Sequence, residues 1–425
     1  MSGERKRAAR WSGVLVATVV VVLLVSLVGP AMAAGPAGGT SGDAPSTRWT
    51  RMFGWYLNDV AAVNAGRVYV VGSTRSNGGP GHAALIRRYA PDGTRVWARK
   101  WQIRKGYAFA NDVTVGADES VYVAGSVAST QSEGGGFVLL KYSPGGKLLW
   151  QRVTSGWLHS KSEGASGVAV IGDVVVIAGG NSGCCGDPFS DGWLRAYDTE
   201  DGHWLWTTQF EAPRITGTND AANAVAAGPG GFYAAGWVAR RQERSDQSFV
   251  NHDAMVEKVT ASGKVKWTRV VSDGVRDHDE AVDLVGADDG IRVLGYMDER
   301  ETTDPFSFHR GHGWLRSYGP GGDVVWTRAW GFKPSELPGG LGLATDGSVV
   351  IAGEQRDPVD HLTNLAVRSY DGEGTLRWSK SLDPKKWSAR GTGAAVVGRA
   401  AFVTASLSNR PQTEASGWLV KLGQV

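Results

Sequence analysis

Histidines and their acidic neighbours are the residues in this chain best placed to do chemistry. Of eight histidines, seven (His82, His159, His252, His278, His309, His312 and His361) fall in segments expected to be long loops, and only His203 sits in a short turn. Acids accompany them in Asp277-His278-Asp279-Glu280 and in the run from Asp304 through Phe306, Phe308 and His309 to His312. Imidazoles and carboxylates that converge in this way can hold a divalent metal, calcium or magnesium, or act as acid and base in a lyase or hydrolase. The competing reading is that polar residues collect in loops because the strands between them are apolar. Spacing does not separate the two, since loop ligands meet only in three dimensions.

Cys184 and Cys185 are the only cysteines and are adjacent, in GNSGCCGDPFSDG. In an exported chain they can close a vicinal disulfide, remain free thiols or bridge two molecules. The loop aromatics Trp55, Trp157, Trp237, Phe306 and Phe308 offer flat faces for sugars or peptides. Binding candidates are therefore His252, His278, Asp279, Glu280, Asp304, His309, His312, Trp157, Trp237 and Phe306.

What positions these residues is a repeat. Trp49, Trp97, Trp150, Trp206, Trp267, Trp326 and Trp378 recur at intervals of 48, 53, 56, 61, 59 and 52 residues, with 47 residues following the last. That period belongs to propeller blades rather than to most solenoids. Within a unit, as from Asp112 to Thr154, four short alternating runs (VTVGA, SVYVAGS, FVLLKYS, KLLWQRV) are divided by turn residues, the pattern of a four-stranded antiparallel meander. The first and third turns are tight and Gly-bearing (Asp346-Gly347, Pro229-Gly230-Gly231; Asp92-Gly93, Gly145-Gly146, Gly321-Gly322), as hairpins needing positive φ require. The second connections and the crossings between units are long and differ in every unit, so a binding site is expected on the face where both emerge. Asp59, Asp112 and Asn223 recur just before the innermost strand, where they are expected to bond neighbouring backbone. The seven repeated Trp, and Trp193, Trp314 and Trp418, read as packing residues.

The last unit has only three strands, and the missing Trp-bearing strand stands at the other end of the domain as Ser46 to Arg51. The expected architecture is all-β, a seven-bladed β-propeller of four-stranded antiparallel blades over residues 46–425, closed by an N-terminal strand that completes the last blade.

The run from Asp59 to Trp97, with VYVVGS and ALIRRYAPDG, resembles bacterial seven-bladed propeller repeats found in exported proteins, and YSPGGKLLW, VTASGKVKW and YGPGGDVVW are similar to the PQQ-type repeat. The resemblance covers nearly the whole chain after the N-terminal segment. It implies the fold and leaves function open, because such repeats serve enzymes, scaffolds and ligand-binding proteins alike. Quinoprotein alcohol dehydrogenases with this repeat carry a vicinal disulfide beside their cofactor. Their propellers have eight blades, however, and no match to their calcium-binding acid, Asn and catalytic Asp stands here, so PQQ is not expected.

Residues 1–33 read as a general secretory signal, with Arg5, Lys6, Arg7 and Arg10, the apolar run Val14 to Val28 and Ala31-Met32-Ala33; the alternative is an uncleaved membrane anchor. Residues 34–45 read as a flexible linker. The first 33 residues hold four basic side chains and one acidic one, so the 45 basic and 42 acidic residues of the whole become 41 of each in the remainder. A neutral balance gives no argument for nucleic acid or an anionic membrane. The expectation is a secreted, monomeric binding or scaffold protein for a protein, peptide or glycan. A metal-assisted lyase or hydrolase at the channel mouth is the alternative.

Overall fold

The computed structural model describes residues 44–63, 66–74, 82–104, 106–129, 135–154, 162–182, 191–211, 220–241, 250–272, 278–299, 310–331, 336–357, 362–409, 415–423 and 425. The segment read as a signal and nearly all of the expected linker lie outside them.

The regular elements among the described residues are 28 β-strands. They form consecutive antiparallel meanders of four, numbered here along the chain: meander 1 over 55–101, 2 over 106–153, 3 over 162–210, 4 over 220–271, 5 over 278–330, 6 over 336–382 and 7 from 388 to 423. Meanders 5 and 6 share one parallel bridge, His312 to Glu336, and are otherwise separate. Meander 7 takes its fourth strand from the other end of the domain: Thr47–Phe53 pairs antiparallel with Ala415–Gly423, Trp49 lying opposite Lys421 and Phe53 opposite Gly417. The innermost strand of each meander contacts that of the next, and the innermost strand of meander 7 contacts that of meander 1.

Burial is graded from the inside outward. Every residue of the third strand Gly135–Tyr142 is buried, because meander 2 is covered on both faces, whereas its outermost strand Leu148–Val153 is mostly exposed. Apolar clusters lie between neighbouring meanders: Tyr69, Val71, Ile86 and Trp97 of meander 1 pack on Val123, Val138 and Leu140 of meander 2. Each such side chain taken from water stabilises the fold by about 1.5–3 kcal/mol.

Each innermost strand breaks register once, at Asn58, Asn111, Ser166, Asn223, Val282, Gly339 and Thr392. A β-bulge bends a strand and increases its twist. Backbones crowd together beside these bulges: a Cβ on Gly340 would stand 2.4 Å from the Cα of Gly393 in the next meander, so only glycine fits.

The repeated Trp do more than fill the core of their own sheet. Trp97, Trp150, Trp206, Trp267 and Trp326 each donate their indole N–H to a backbone carbonyl at the last turn of the following meander, at 2.8–3.0 Å. Trp49 does the same to Pro91 at 3.3 Å. Two residues on, Arg99, Arg152, Arg269 and Arg328 donate Nε–H to the carbonyl of the glycine in that turn.

The sequence reading ends several strands too early. Trp237, His252, Asp279, Glu280 and His312, expected in loops, lie inside the strands Gly231–Arg241, Val250–Val259, His278–Ala287 and Arg310–Tyr318. Asp59, Asp112 and Asn223 likewise lie within innermost strands, which begin up to seven residues before the apolar runs that announce them. Ladder hydrogen bonds are made by backbone and continue through polar residues, so apolar alternation marks only the buried stretch of each strand.

Candidate ligand-binding site

Where the long connections leave meanders 4 and 5, three strands bring together side chains suited to binding. His252 pairs with Ala239 and Ala254 with Trp237, which places Trp237 and His252 on the same face of meander 4. Their rings stack with centroids 4.0 Å apart and planes 13° from parallel. Glu280, from the innermost strand of meander 5, sets its Oε1 3.7 Å from His252 Nδ1, a contact that becomes an ion pair when the imidazole is protonated. The His252 and Glu280 side chains each remain 22% exposed, enough to be reached from solvent.

Behind them stands a buried row. Asp279 pairs with Met297 and Met297 with His312, so the three share one face of meander 5. That face turns toward meander 4, because Ile291 on the same strand face lies 3.5 Å from where a Cβ of Gly228 would stand. The opposite face, with Leu294 and Leu315, packs on Leu341 and Ile351 of meander 6. Three of the ten binding candidates, Trp237, His252 and Glu280, thus meet, and Asp279 and His312 share the blade that carries Glu280.

A second convergence lies along the innermost strands. Asp59, Asp112 and Asp283 each follow a bulge and tie their own meander to the next. Their Oδ2 atoms accept from the backbone N–H of Val113 (3.1 Å), Val168 (2.6 Å) and Leu341 (2.7 Å). Asn58, Asn111 and Asn223 add side-chain bonds to the carbonyls of Ala110, Ala165 and Ala281 at 2.8–3.0 Å. Asp59 and Asp112 also lie close enough that each acts on the other's ionisation.

The three residues keep some accessible surface, yet protein surrounds their carboxyls so closely that loss of hydration dominates their chemistry. Burial, then the charge of Asp112, pushes Asp59 well above the usual carboxylate range; burial also raises Asp112. Asp283 is pushed up to about 7 by burial and then by Asp112. With oxygens spent on backbone donors, these residues hold meanders together. The expectation that Asp59, Asp112 and Asn223 bond neighbouring backbone describes them well, and Asp283, one unit-length further on, escaped it.

Among the described residues no three or more His, Cys, Asp or Glu side chains are arranged to hold a metal ion. The remaining candidates Trp157, Cys184, Cys185, Asp304, Phe306 and His309 lie outside the described residues, and His278 is described by its backbone alone. His82 packs its ring 5.2 Å from Phe109 and 5.5 Å from Tyr107, away from the junction. A depression lined by Ala344, Asp346, Arg377, Gly398 and Arg399 lies at the tight-turn end instead.

No family model matches the chain, and no curated protein matches it. Among solved structures it is similar to the polysaccharide lyase Uly1, with 8% identity over 87% of this chain and 90% of that one and a TM-score of 0.53. It is also similar to the β-propeller domain of the Trilobed protease from Pyrococcus furiosus (12% identity, 88% and 94% covered, TM-score 0.46). A third is the quinohemoprotein alcohol dehydrogenase from Comamonas testosteroni (13%, 89% and 77%, TM-score 0.45). At such identities the likeness concerns the fold alone. The chain has the fold of a β-propeller. In this propeller the Trp237–His252–Glu280 junction lies between two neighbouring blades.

Proposed function

We propose that the protein is an exported seven-bladed propeller, its ring closed by Thr47–Phe53 beside the last blade, that binds a protein, peptide or glycan on the face carrying the long connections. The observation that carries this reading is the stacked Trp237–His252 pair with Glu280 beside it. A partly exposed aromatic platform next to a carboxylate offers an apolar face and a hydrogen-bond acceptor together, which suits a sugar ring or a peptide side chain. Binding rather than turnover is favoured because Asp59, Asp112 and Asp283 on the innermost strands are engaged by backbone donors.

Arrays of extracellular glycans and peptides, probed with the full chain and with Trp237→Ala and Glu280→Gln, test the proposal. A ligand retained by the wild type and lost by Trp237→Ala, with Tm unchanged, supports it. A turnover that needs added calcium or magnesium and disappears in Glu280→Gln would replace it with the metal-assisted enzyme.

A further inference from the structure

We infer that the seam between blades 7 and 1 is a receptor for a ligand carboxylate, with Arg87 as its fork. Cross-strand pairing puts Arg87, Arg195, Arg316 and Arg368 at one equivalent position of their third strands, opposite Val70, Ile177, Val293 and Ile351. Two of these guanidiniums are met by a carboxylate three residues before the bulge of their own blade. Arg195 holds Glu163 through both terminal nitrogens at 3.1 Å, and Arg368 holds Glu336 at 2.5 and 2.6 Å. Arg316 is met instead by the hydroxyls of Thr327 and Tyr318.

In blade 1 the position of Glu163 and Glu336 is taken by Trp55. The Arg87 guanidinium lies 4.9 Å over the Trp55 ring and 5.5 Å over that of Phe53, the last residue of the closing strand. Among the described residues Arg87 has no hydrogen bond and no ion pair. Its Nε is buried and unbonded, while its terminal nitrogens, equally unbonded, keep contact with solvent. Trp55, 4% exposed, has a buried indole N–H with no acceptor among the described residues.

A planar cation fixed over two rings is pre-organised for a planar anion, and a fork of parallel N–H groups matches two carboxylate oxygens. Unbonded buried donors are costly until an acceptor arrives. Glu163 and Glu336 show within this same molecule what fits the slot. The missing group is a carboxylate, and a ligand supplies it, either as a uronic sugar or as the acidic group of a peptide.

The full chain is titrated with glucuronate and with N-acetylglutamate, against glucose and N-acetylglutamine as neutral controls. The tryptophan indole N–H resonances are followed by NMR, with Trp55 assigned through Trp55→Phe. The expected result is a saturable shift of the Trp55 N–H by one of the two anions, absent with its neutral counterpart and weakened as salt is raised. The anion that binds identifies the source. Arg87→Lys keeps the charge and removes the fork, and affinity falls at least tenfold; Trp237→Ala leaves this response intact, since that platform lies between other blades. No shift with either anion, equal binding of the neutral controls, or unchanged affinity in Arg87→Lys would overturn the assignment. If Arg87→Lys fails to fold, the wild-type comparison of anion with neutral control decides alone.

Discussion

Trp97 donates its indole N–H to the carbonyl of Pro144, 3.0 Å away in the next blade, and so hooks the outer edge of one sheet over the last turn of another. Arg99, two residues later, reaches the same turn through Gly146 and lies 5.4 Å from the Trp97 ring. Repeated around the molecule, this Trp-x-Arg hook explains why Trp recurs on a strand that is otherwise exposed. It also explains the glycine in the turn beneath it. Gly146 has φ +80°, and a Cβ there would stand 2.9 Å from Trp97.

The first prediction uses that crowding. Gly146→Ala carries both the left-handed backbone penalty, about 1–2 kcal/mol, and displacement of the Trp97 ring. Gly398 has φ +57° with open space around its Cβ position, so Gly398→Ala carries only the backbone penalty. Urea unfolding is expected to rank Gly146→Ala as the less stable variant by at least about 1 kcal/mol. Equal midpoints would show that the Trp hook yields without loss.

The second concerns the place where the hook cannot form. The last meander takes its fourth strand, Thr47–Phe53, from far away in the chain and so has no turn before it, and Trp378 finds no carbonyl for its buried N–H among the described residues. Lys380, two residues on, donates instead to the carbonyl of Pro45 at 2.8 Å. Deleting residues 44–53 removes that acceptor and bares the edge of Ala415–Gly423. The expected outcome is loss of a cooperative thermal transition and strong binding of a hydrophobic dye; a truncated chain that still melts sharply would argue that the three remaining strands suffice.

Much of this fold was legible because it is local. Four-strand units, tight Gly turns and the displaced Trp-bearing strand all leave marks of composition or period, and each has its counterpart among the described strands. The rim site was legible only by residue type: His252, Glu280 and Trp237 were named, yet their meeting depends on which faces of two different blades turn toward each other. That meeting joins a hairpin of one blade to the start of the innermost strand of the next, and no local pattern in either segment encodes it. Asp283 and Arg87 went unremarked because each looks like an ordinary polar residue until the units are aligned on their bulges rather than on Trp.

The third prediction separates the hydrogen bond of a ring carboxyl from its charge. Asp112 Oδ2 accepts from Val168 N–H of the next blade. Asp112→Ala leaves that donor without a partner, at about 1–3 kcal/mol. Asp112→Asn retains an acceptor oxygen and removes a charge that burial disfavours. Chemical denaturation at pH 8 is expected to show the Ala variant clearly destabilised and the Asn variant close to the wild type. Equal losses would mean that the charge itself supports the ring.

The fourth prediction fixes the sign of the pH dependence. Glu257, 2% exposed, accepts from Thr268 Oγ1 at 3.2 Å, and burial pushes its carboxyl from 4.5 up to about 7. Asp283 reaches about 7 from 3.8. Both values are raised in the folded state, so over the interval between the unfolded and folded values the native protein holds protons that the unfolded chain has lost. Their stabilising contribution is therefore complete below about pH 4 and disappears as pH climbs through 7. For Glu257 the difference is on the order of 3 kcal/mol, at roughly 1.4 kcal/mol per pKa unit. Glu257→Gln keeps an acceptor for Thr268 and has no proton to lose. Urea midpoints measured from pH 5 to 9 are expected to fall with pH in the wild type and to fall less in Glu257→Gln, the variant gaining on the wild type as pH rises. A variant whose midpoint tracks the wild type in parallel across that range would show that Glu257 is ionised in the folded protein throughout.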